Sequence, residues 1–194
     1  MSRLLNQLKT DHTNIFKLLC ILENQIQSLQ DGNKTEEPMH IIREILNYMQ
    51  KYPAICHHPR EEVLIDMLME LLSDSDQDSL GNISKLKGQQ QSIDLLTPEL
   101  YQQVHFAVES SYDGMIEQIK IFLDYYYKHV ELEENFLFPL ALQLFTDDDW
   151  QEIDGHFSDS RDPLFSRHEE TENHFIYLHQ TITEYDKGLA LNKA

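Results

Sequence analysis

The sequence predicts an all-α protein, on the basis of its residue composition and the spacing of its apolar residues. Only 6 Gly and 6 Pro occur in 194 residues, too few for a turn-rich all-β fold. Leucine and isoleucine recur at separations of three and four residues over long stretches, as on the buried face of an amphipathic helix. The length corresponds to one domain, or to one domain with an appendage, which can bury a core without disulfides.

The first part of the chain predicts two long helices. The first covers residues 2–30, where leucines and isoleucines mark one face. The second begins near Pro38, because proline is favoured in the first turn of a helix. Pro53 and Pro59 predict a kink or a break, after which the helix resumes over residues 61–72.

The second part of the chain predicts two more long helices and a helical tail. The third helix is expected over residues 81–110, with a fresh helix start at 97–99, where Thr-Pro-Glu stands. Residues 112–114 predict a turn, and a fourth helix follows over 115–144. The tail is expected to contain a short helix started by residues 146–150 and a final helix over 163–186.

Charge and cysteine content exclude several classes of partner. The chain has 15 Lys and Arg against 34 Asp and Glu, a net charge of −19, which repels nucleic acid and anionic membranes. Cys20 and Cys56 do not form a disulfide framework. No apolar stretch is long enough for a signal peptide or a membrane span. We therefore expect a cytoplasmic protein with no nucleic-acid or membrane partner, and a homodimer is possible.

One chemical motif occurs twice: a histidine followed four residues later by a glutamate and then by apolar residues. His57 and Glu61 form the first pair, and His129 and Glu133 form the second. Positions i and i+4 lie one turn apart on one face of a helix, so each pair can bind one cation. A single pair is more often a solvated helix face, but two pairs on neighbouring helices indicate a metal site. Imidazole and carboxylate together favour iron, manganese or zinc over calcium, which prefers oxygen ligands.

The heights of the histidines in a helical hairpin support this interpretation. Residues equally far from the turn of an antiparallel hairpin face each other. His12 and His57 are separated from the first turn by nearly the same number of residues, so they should be level. By the same argument the counterpart of His129 on the third helix falls within 90–98, and His105 lies too close to its turn.

These motifs resemble those of the bacterial hemerythrin-like (HHE cation-binding) family. The resemblance rests on Asp11-His12, on the HHPREE sequence of residues 57–62, and on residues 129–139, which end in Leu-Phe-Pro. It covers most of the chain. It implies an up-down four-helix bundle over residues 1–145 and a C-terminal helical extension, residues 146–194, packed on the bundle.

The resemblance also implies a non-haem iron centre with one or two ions, manganese and zinc being possible alternatives. The ligands that it implies are His12, His57, Glu61, His129 and Glu133. Glu61 and Glu133 would bridge two metal ions. His58 and Glu62 share the four-residue spacing and form a second-ranked pair, because the sequence does not determine whether His57 or His58 faces inward.

The chain departs from the family pattern on its third helix. The family usually has a histidine there, whereas this sequence has Gln90 and no histidine at all between residues 59 and 104. An amide oxygen is a poorer ligand than imidazole for divalent first-row metals. We therefore expect weak or lost occupancy of one metal position, or an open coordination site filled by water.

The function expected from the resemblance is the binding or sensing of oxygen, peroxide or nitric oxide, or the handling of iron. Two alternatives remain open at this point. One is a di-iron oxidase, peroxidase or iron-repair enzyme that uses the same site. The other is a helical interaction module whose metal site has decayed. Metal content separates the last from the others, and turnover of oxygen or peroxide separates an enzyme from a binding protein.

Overall fold

A computed structural model describes residues 2–33, 35–156, 162–165 and 175–191. Within these ranges the chain is helical and has no strand, as the sequence predicts. The α-helices are α1 (Arg3–Gln30), α2 (Glu36–Tyr52), α3 (His58–Leu71), α4 (Gln77–His105), α5 (Tyr112–Leu132), α6 (Phe138–Leu144), α7 (Asp147–His156) and α8 (Ile176–Leu191).

Helix α1 has the bounds expected from the sequence, because local signals fix both of its ends. The hydroxyl of Ser2 accepts a hydrogen bond from the N–H of Leu5 at 3.4 Å, which caps the first turn. Gly32 follows the last turn with a φ of 89°, a left-handed conformation that glycine adopts without steric cost.

A π-helical turn replaces the break expected near Pro53 and Pro59, and a second π-helical turn lies near Pro139. One turn, Pro53–His57, joins α2 to α3, and the other, Glu133–Leu137, joins α5 to α6. In each case the next residue donates its N–H to the carbonyl five positions earlier. Pro59 and Pro139 lie two residues beyond these turns, and a proline ring crowds the preceding helical turn. The wider π turn accommodates each proline, so both helices continue rather than break.

Helix α4 is continuous, so the fresh helix start expected at residues 97–99 is wrong. Pro98 lies inside the helix and removes one backbone donor. The preceding residue, Thr97, is buried and donates its hydroxyl to the Ile93 carbonyl at 2.6 Å. Packing of the buried face therefore overrides the local helix-start signal, and α4 ends at His105.

Two further boundaries differ from the expected ones. Residues 112–114 form the first turn of α5 instead of a turn between helices, and the chain reverses just before them, at a 3-10 turn over Glu109–Ser111. The final helix was expected over 163–186. Residues 162–165 are not helical, residues 166–174 lie outside the described residues, and α8 runs further than expected.

The interior contains two apolar clusters separated by a layer of buried polar side chains. In α1, Leu8 belongs to one cluster and Ile15 to the other, with Asp11 and His12 between them. The same succession occurs along α4, and it occurs in the reverse direction from α2 into α3 and from α5 into α6. We call these polar side chains the polar layer; its members are Asp11, His12, His57, His58, Arg60, Glu61, Gln89, Gln90, His129 and Glu133.

The C-terminal helices pack on α1 and α2. Helix α7 contacts α1, and α8 contacts both α1 and α2. Asp154 of α7 accepts hydrogen bonds from the N–H groups of Arg3 and Leu4, at 2.8 and 2.9 Å, and from the hydroxyl of Ser2 at 2.8 Å. A carboxylate of one helix thus caps the start of another. None of the helices in the described part of the chain is long and apolar enough to span a bilayer.

We predict that Asp154→Ala lowers the free energy of unfolding by about 1 kcal/mol, the usual cost of losing a helix cap. For a chain of this length the midpoint of thermal unfolding should fall by about 2–4 °C. Circular dichroism during heating or urea titration measures both. Glu70→Ala removes a charge from an exposed position of α3 and serves as the matched control.

The same variant should show a defined pH dependence. Slight burial raises the pKa of Asp154, but the hydrogen bonds from Arg3 and Leu4 outweigh it and hold that pKa below its usual value. The stabilisation is therefore complete above the unfolded-state pKa of about 3.9 and is lost as the pH falls through the lowered folded-state pKa. Equal stability of wild type and variant at neutral pH would contradict this role.

Candidate metal centre

The two histidine–glutamate pairs lie where the π turns meet α-helices. His57 ends the first π turn and Glu61 lies in the first turn of α3, whereas His129 lies in the last turn of α5 and Glu133 begins the second π turn. The four-residue spacing brings Nε2 of each histidine within 3.0 Å of Oε1 of its glutamate. Both pairs thus face the polar layer from opposite helices.

Four side chains from three separate regions of the chain converge on one point. One ligand atom from each of His12, His57, Glu61 and Glu133 lies within 4.8 Å of all the others. Nε2 of His12 is 3.3 Å from Oε1 of Glu61 and 3.3 Å from Oε2 of Glu133. None of the four is more than 4% exposed to solvent. We call these residues the first group; its geometry agrees with the height argument made from the sequence.

A second group lies beside the first and shares Glu61 with it. Ligand atoms of His58, Glu61 and His129 also lie within 4.8 Å of one another. The ring centroids of His58 and His129 are 5.9 Å apart, and the two rings are perpendicular. The sequence left open whether His57 or His58 faces inward, and the structure turns both of them into the polar layer.

The two buried glutamates contact histidines of both groups. Oε2 of Glu133 faces His12, whereas its Oε1 lies 3.0 Å from Nε2 of His129. Oε1 of Glu61 faces His12 and His57, and its Oε2 has no hydrogen-bond partner among the described residues. Glu133 therefore reaches histidines of both groups, and Glu61 belongs to both.

Carboxylates behind the imidazoles fix the direction of three histidine rings. A neutral imidazole that donates from Nδ1 to a carboxylate keeps the lone pair of Nε2 for a metal, an arrangement common in metalloproteins. In all three rings Nε2 is directed into the polar layer. The Nδ1 pairs are His12 with Glu134 at 2.8 Å, His57 with Asp11 at 3.2 Å, and His58 with Asp94 at 2.8 Å.

Asp11 is itself held by several donors. It accepts hydrogen bonds from the side-chain amide of Gln7 at 2.8 Å and from the hydroxyl of Tyr52 at 3.2 Å. The guanidinium of Arg60 lies 3.6 Å away and supplies a compensating positive charge. The carboxylate that orients His57 is thus fixed in place before any metal binds.

The buried glutamates favour protonation of the imidazoles beside them. Burial lowers the pKa of His57, but the negative charge of Glu61 and the hydrogen bond to Asp11 outweigh it and raise that pKa to about 9. Burial likewise opposes protonation of His12 and His129, yet the neighbouring glutamates raise the pKa of both above the usual value. Burial raises the pKa of Glu61, but the charge of His57 outweighs it and holds that pKa well below its usual value.

The donor atoms of the layer fit a transition-metal ion. Within the described part of the chain, Nε2 of His58 and Oε2 of Glu61 are buried without a hydrogen-bond partner. The oxygens of Glu133 lie 3.0 Å from Nε2 of His129 and 3.3 Å from Nε2 of His12, but neither contact has the geometry of a hydrogen bond. Buried polar atoms without partners are costly, so a cation that binds them removes an unfavourable term. Mixed imidazole and carboxylate donors suit iron, manganese or zinc.

Three other residues considered from the sequence have different positions. Glu62 is exposed on the outer face of α3 and contributes to neither group. His105 is exposed at the end of α4, where it stacks on Tyr101. Gln90 is buried in the polar layer, one turn before Asp94 on α4, and its Oε1 has no hydrogen-bond partner within the described ranges.

Sequence reasoning missed two carboxylates of the centre. Asp94 lies within the 90–98 window expected for the counterpart of His129, but the search there was for a histidine. Glu134 follows Glu133 directly, and a single carboxylate next to a candidate ligand carries no signal of its own. Only the fold shows that each one receives an imidazole N–H.

Comparison with known proteins gives one match. A family model described as the hemerythrin HHE cation binding domain matches residues 3–141, which include every member of both groups. Searches of curated proteins and of solved structures gave no significant match.

We predict that a divalent transition metal stabilises the fold, because the cation binds buried atoms that are brought together only in the folded chain. At a free metal concentration 100 times the dissociation constant, the gain is about 2.7 kcal/mol. At that gain the midpoint of thermal unfolding should rise by about 5–10 °C. Thermal unfolding with anaerobic Fe(II), Mn(II) or Zn(II) measures it, and Mg(II) is the control. An unchanged midpoint with all three transition metals would contradict the prediction.

Proposed function

The chain belongs to the hemerythrin HHE cation-binding family, and from that premise we propose that it is a non-haem iron protein that binds or senses a small ligand such as oxygen, peroxide or nitric oxide. One observation carries the proposal: Glu61 and Glu133 are fully buried among four histidines, and the two oxygens of Glu133 face histidines of both groups. Iron is the typical metal of this family, and the donor set is also compatible with manganese and zinc.

The proposed architecture is an up-down four-helix bundle around the polar layer. Helix α1 contacts α2, α3 and α5, and α4 contacts the same three helices. That pattern supports a bundle of four long helical segments: α1, α2 continued into α3, α4, and α5 continued into α6. The polar layer crosses all four segments at one height, which supports a metal centre in the interior of the bundle.

The proposed role of the two glutamates is to bridge neighbouring cations. His12 and His57 would hold one ion with Glu61 and Glu133. Bound iron supplies redox chemistry and an electrophilic site for a small ligand. The protein's own residues fix the donor atoms: Asp11 and Glu134 hold the two imidazoles so that Nε2 faces the ion.

The small size of the proposed ligand is supported by a cavity beside His12. The cavity lies between α1 and α5, has a volume of about 210 Å³ and is mostly apolar. Its lining residues are His12, Ile15, Phe16, Leu19, Tyr127, Val130 and Glu131. An apolar cavity that is lined by a candidate ligand suits a small uncharged molecule better than a charged metabolite.

We predict that the double replacement His129→Ala and Glu133→Ala abolishes tight iron uptake, because it removes one bridging carboxylate and one imidazole. Elemental analysis after anaerobic loading with Fe(II) and desalting measures the metal that stays bound. His105→Ala and Glu62→Gln change a histidine and a glutamate outside both groups, and together they form the matched control.

The absorption spectrum gives a second readout for the same variants. After exposure to air, an oxo-bridged di-iron protein absorbs in the near ultraviolet, and this absorption should be absent from the double variant. A wild-type chain that retains no iron after anaerobic loading would refute the proposed function and leave a helical module without a metal.

We predict that Val130→Trp slows the association of nitric oxide with the Fe(II)-loaded protein, because the larger side chain fills the cavity beside His12. A tenfold slower association corresponds to a barrier higher by about 1.4 kcal/mol. Stopped-flow absorbance measures the rate. Ile121→Trp places the same side chain at an exposed position of α5 and serves as the control. Equal rates for Val130→Trp and the wild type would exclude this route.

A further inference from the structure

We propose that the chain builds a second metal position from His58, Glu61 and His129, in which His58 takes the place of the histidine expected on the third helix of the bundle and Asp94 orients it. This inference rests on the proposed function, since it concerns the second of two neighbouring ions. It assigns to His58 a ligand role of its own, distinct from that of His57 and independent of Glu62.

The position of His58 supports a ligand role for its side chain. Its side chain is only 2% exposed, and its Nε2 has no hydrogen-bond partner within the part of the chain that the structure describes. Its ring lies between two other imidazoles, 5.7 Å from that of His57 and 5.9 Å from that of His129. A buried imidazole nitrogen directed at a shared carboxylate and a second imidazole has the surroundings of a metal ligand.

The residues of helix α4 support the same assignment. The helix contributes Gln89 and Gln90 to the polar layer, and it has no histidine at this height. One turn further along, Asp94 accepts a hydrogen bond from Nδ1 of His58 at 2.8 Å. Helix α4 therefore supplies the orienting carboxylate, and the imidazole comes from α3 across the helix interface.

The π turn explains how two consecutive histidines serve two different ions. Successive residues of a helix diverge by about 100°, so adjacent side chains normally cannot both reach one interior point. The π turn Pro53–His57 ends at this pair, and there both rings remain inside the polar layer, inclined at 55° to each other. His57 belongs to the first group and His58 to the second.

The two positions differ in the number of donors and in access. The first group offers four ligands, and the second offers three. The carboxylate of Asp11, which orients His57 in the first group, is fully buried, whereas the side chain of Asp94, which orients His58 in the second group, is 39% exposed. The second position should therefore bind its ion more weakly and keep coordination sites open. The buried hydroxyl of Tyr126, whose ring lies 6.4 Å from the rings of both His58 and His129, has no hydrogen-bond partner within the described segments and flanks this position.

Anaerobic equilibrium dialysis against Fe(II), with elemental analysis of the protein, tests the assignment. The wild type should take up two ions per chain with unequal affinities. His58→Ala should take up one ion, with the affinity of the tighter position unchanged. Asp94→Asn keeps every ligand and should weaken only the second ion, by about 10- to 100-fold, because a neutral amide oxygen accepts the hydrogen bond from Nδ1 of His58 more weakly than a carboxylate does.

Controls separate a ligand role from a structural one. Glu62 follows His58 by four residues, as Glu61 follows His57, but its side chain is exposed. Glu62→Gln should therefore leave the affinities for both ions unchanged. Far-ultraviolet circular dichroism checks the fold of each variant. If His58→Ala does not fold, Asp94→Asn still tests the assignment, because it alters only a partly exposed residue.

The outcomes distinguish this inference from the proposed function. The inference would be overturned if His58→Ala bound two ions as tightly as the wild type does. It would also be overturned if the wild type saturated at one ion, or if Asp94→Asn bound the second ion with the affinity of the wild type. In each of these cases the proposed function would stand. A wild type that binds no iron would refute the proposed function itself.

Discussion

The burial of two glutamates at the centre of the helices is the constraint on which the rest of the structure depends. Glu61 and Glu133 have no exposed surface, and an ionised carboxylate in an apolar interior is strongly unfavourable unless positive charge lies beside it. Protonated histidines can provide that charge, and the neighbouring carboxylates raise the pKa of His12, His57 and His129. A divalent cation meets the same need and releases the protons.

The π turns determine which side chains reach this centre. Both turns precede a proline by two residues, so the widening that relieves the clash with the proline ring also rotates the adjoining helical turns. One turn ends at His57, and the other begins at Glu133. The prolines therefore help to place residues of the polar layer.

Much of the fold and most of the centre follow from the sequence because they rest on local periodicity. Apolar spacing predicted α1, the paired four-residue motifs singled out Glu61 and Glu133, and the heights of the histidines placed His12 level with His57. Errors arose where tertiary packing overrides a local signal. Pro98 does not interrupt α4, since the buried face on either side holds the helix together.

The contribution of His58 was undetermined for a different reason. Spacing along one helix cannot show how far a neighbouring π turn rotates a side chain, so the choice between His57 and His58 appeared exclusive. Asp94 was missed because it belongs to α4 and meets His58 only across the interface between two helices. Contacts between segments distant in sequence carry no periodic signal, and the orienting carboxylates are contacts of that kind.

The division of the core leads us to expect that the chain folds without a metal ion. Two apolar clusters, one on each side of the polar layer, are formed by the helices alone. Most of the apolar area buried on folding therefore does not depend on a cation, in contrast to small zinc domains, which fold only with their metal. Metal binding then acts on a folded protein: it changes the charge and the protonation of one layer, and the flanking clusters hold the donors at fixed positions.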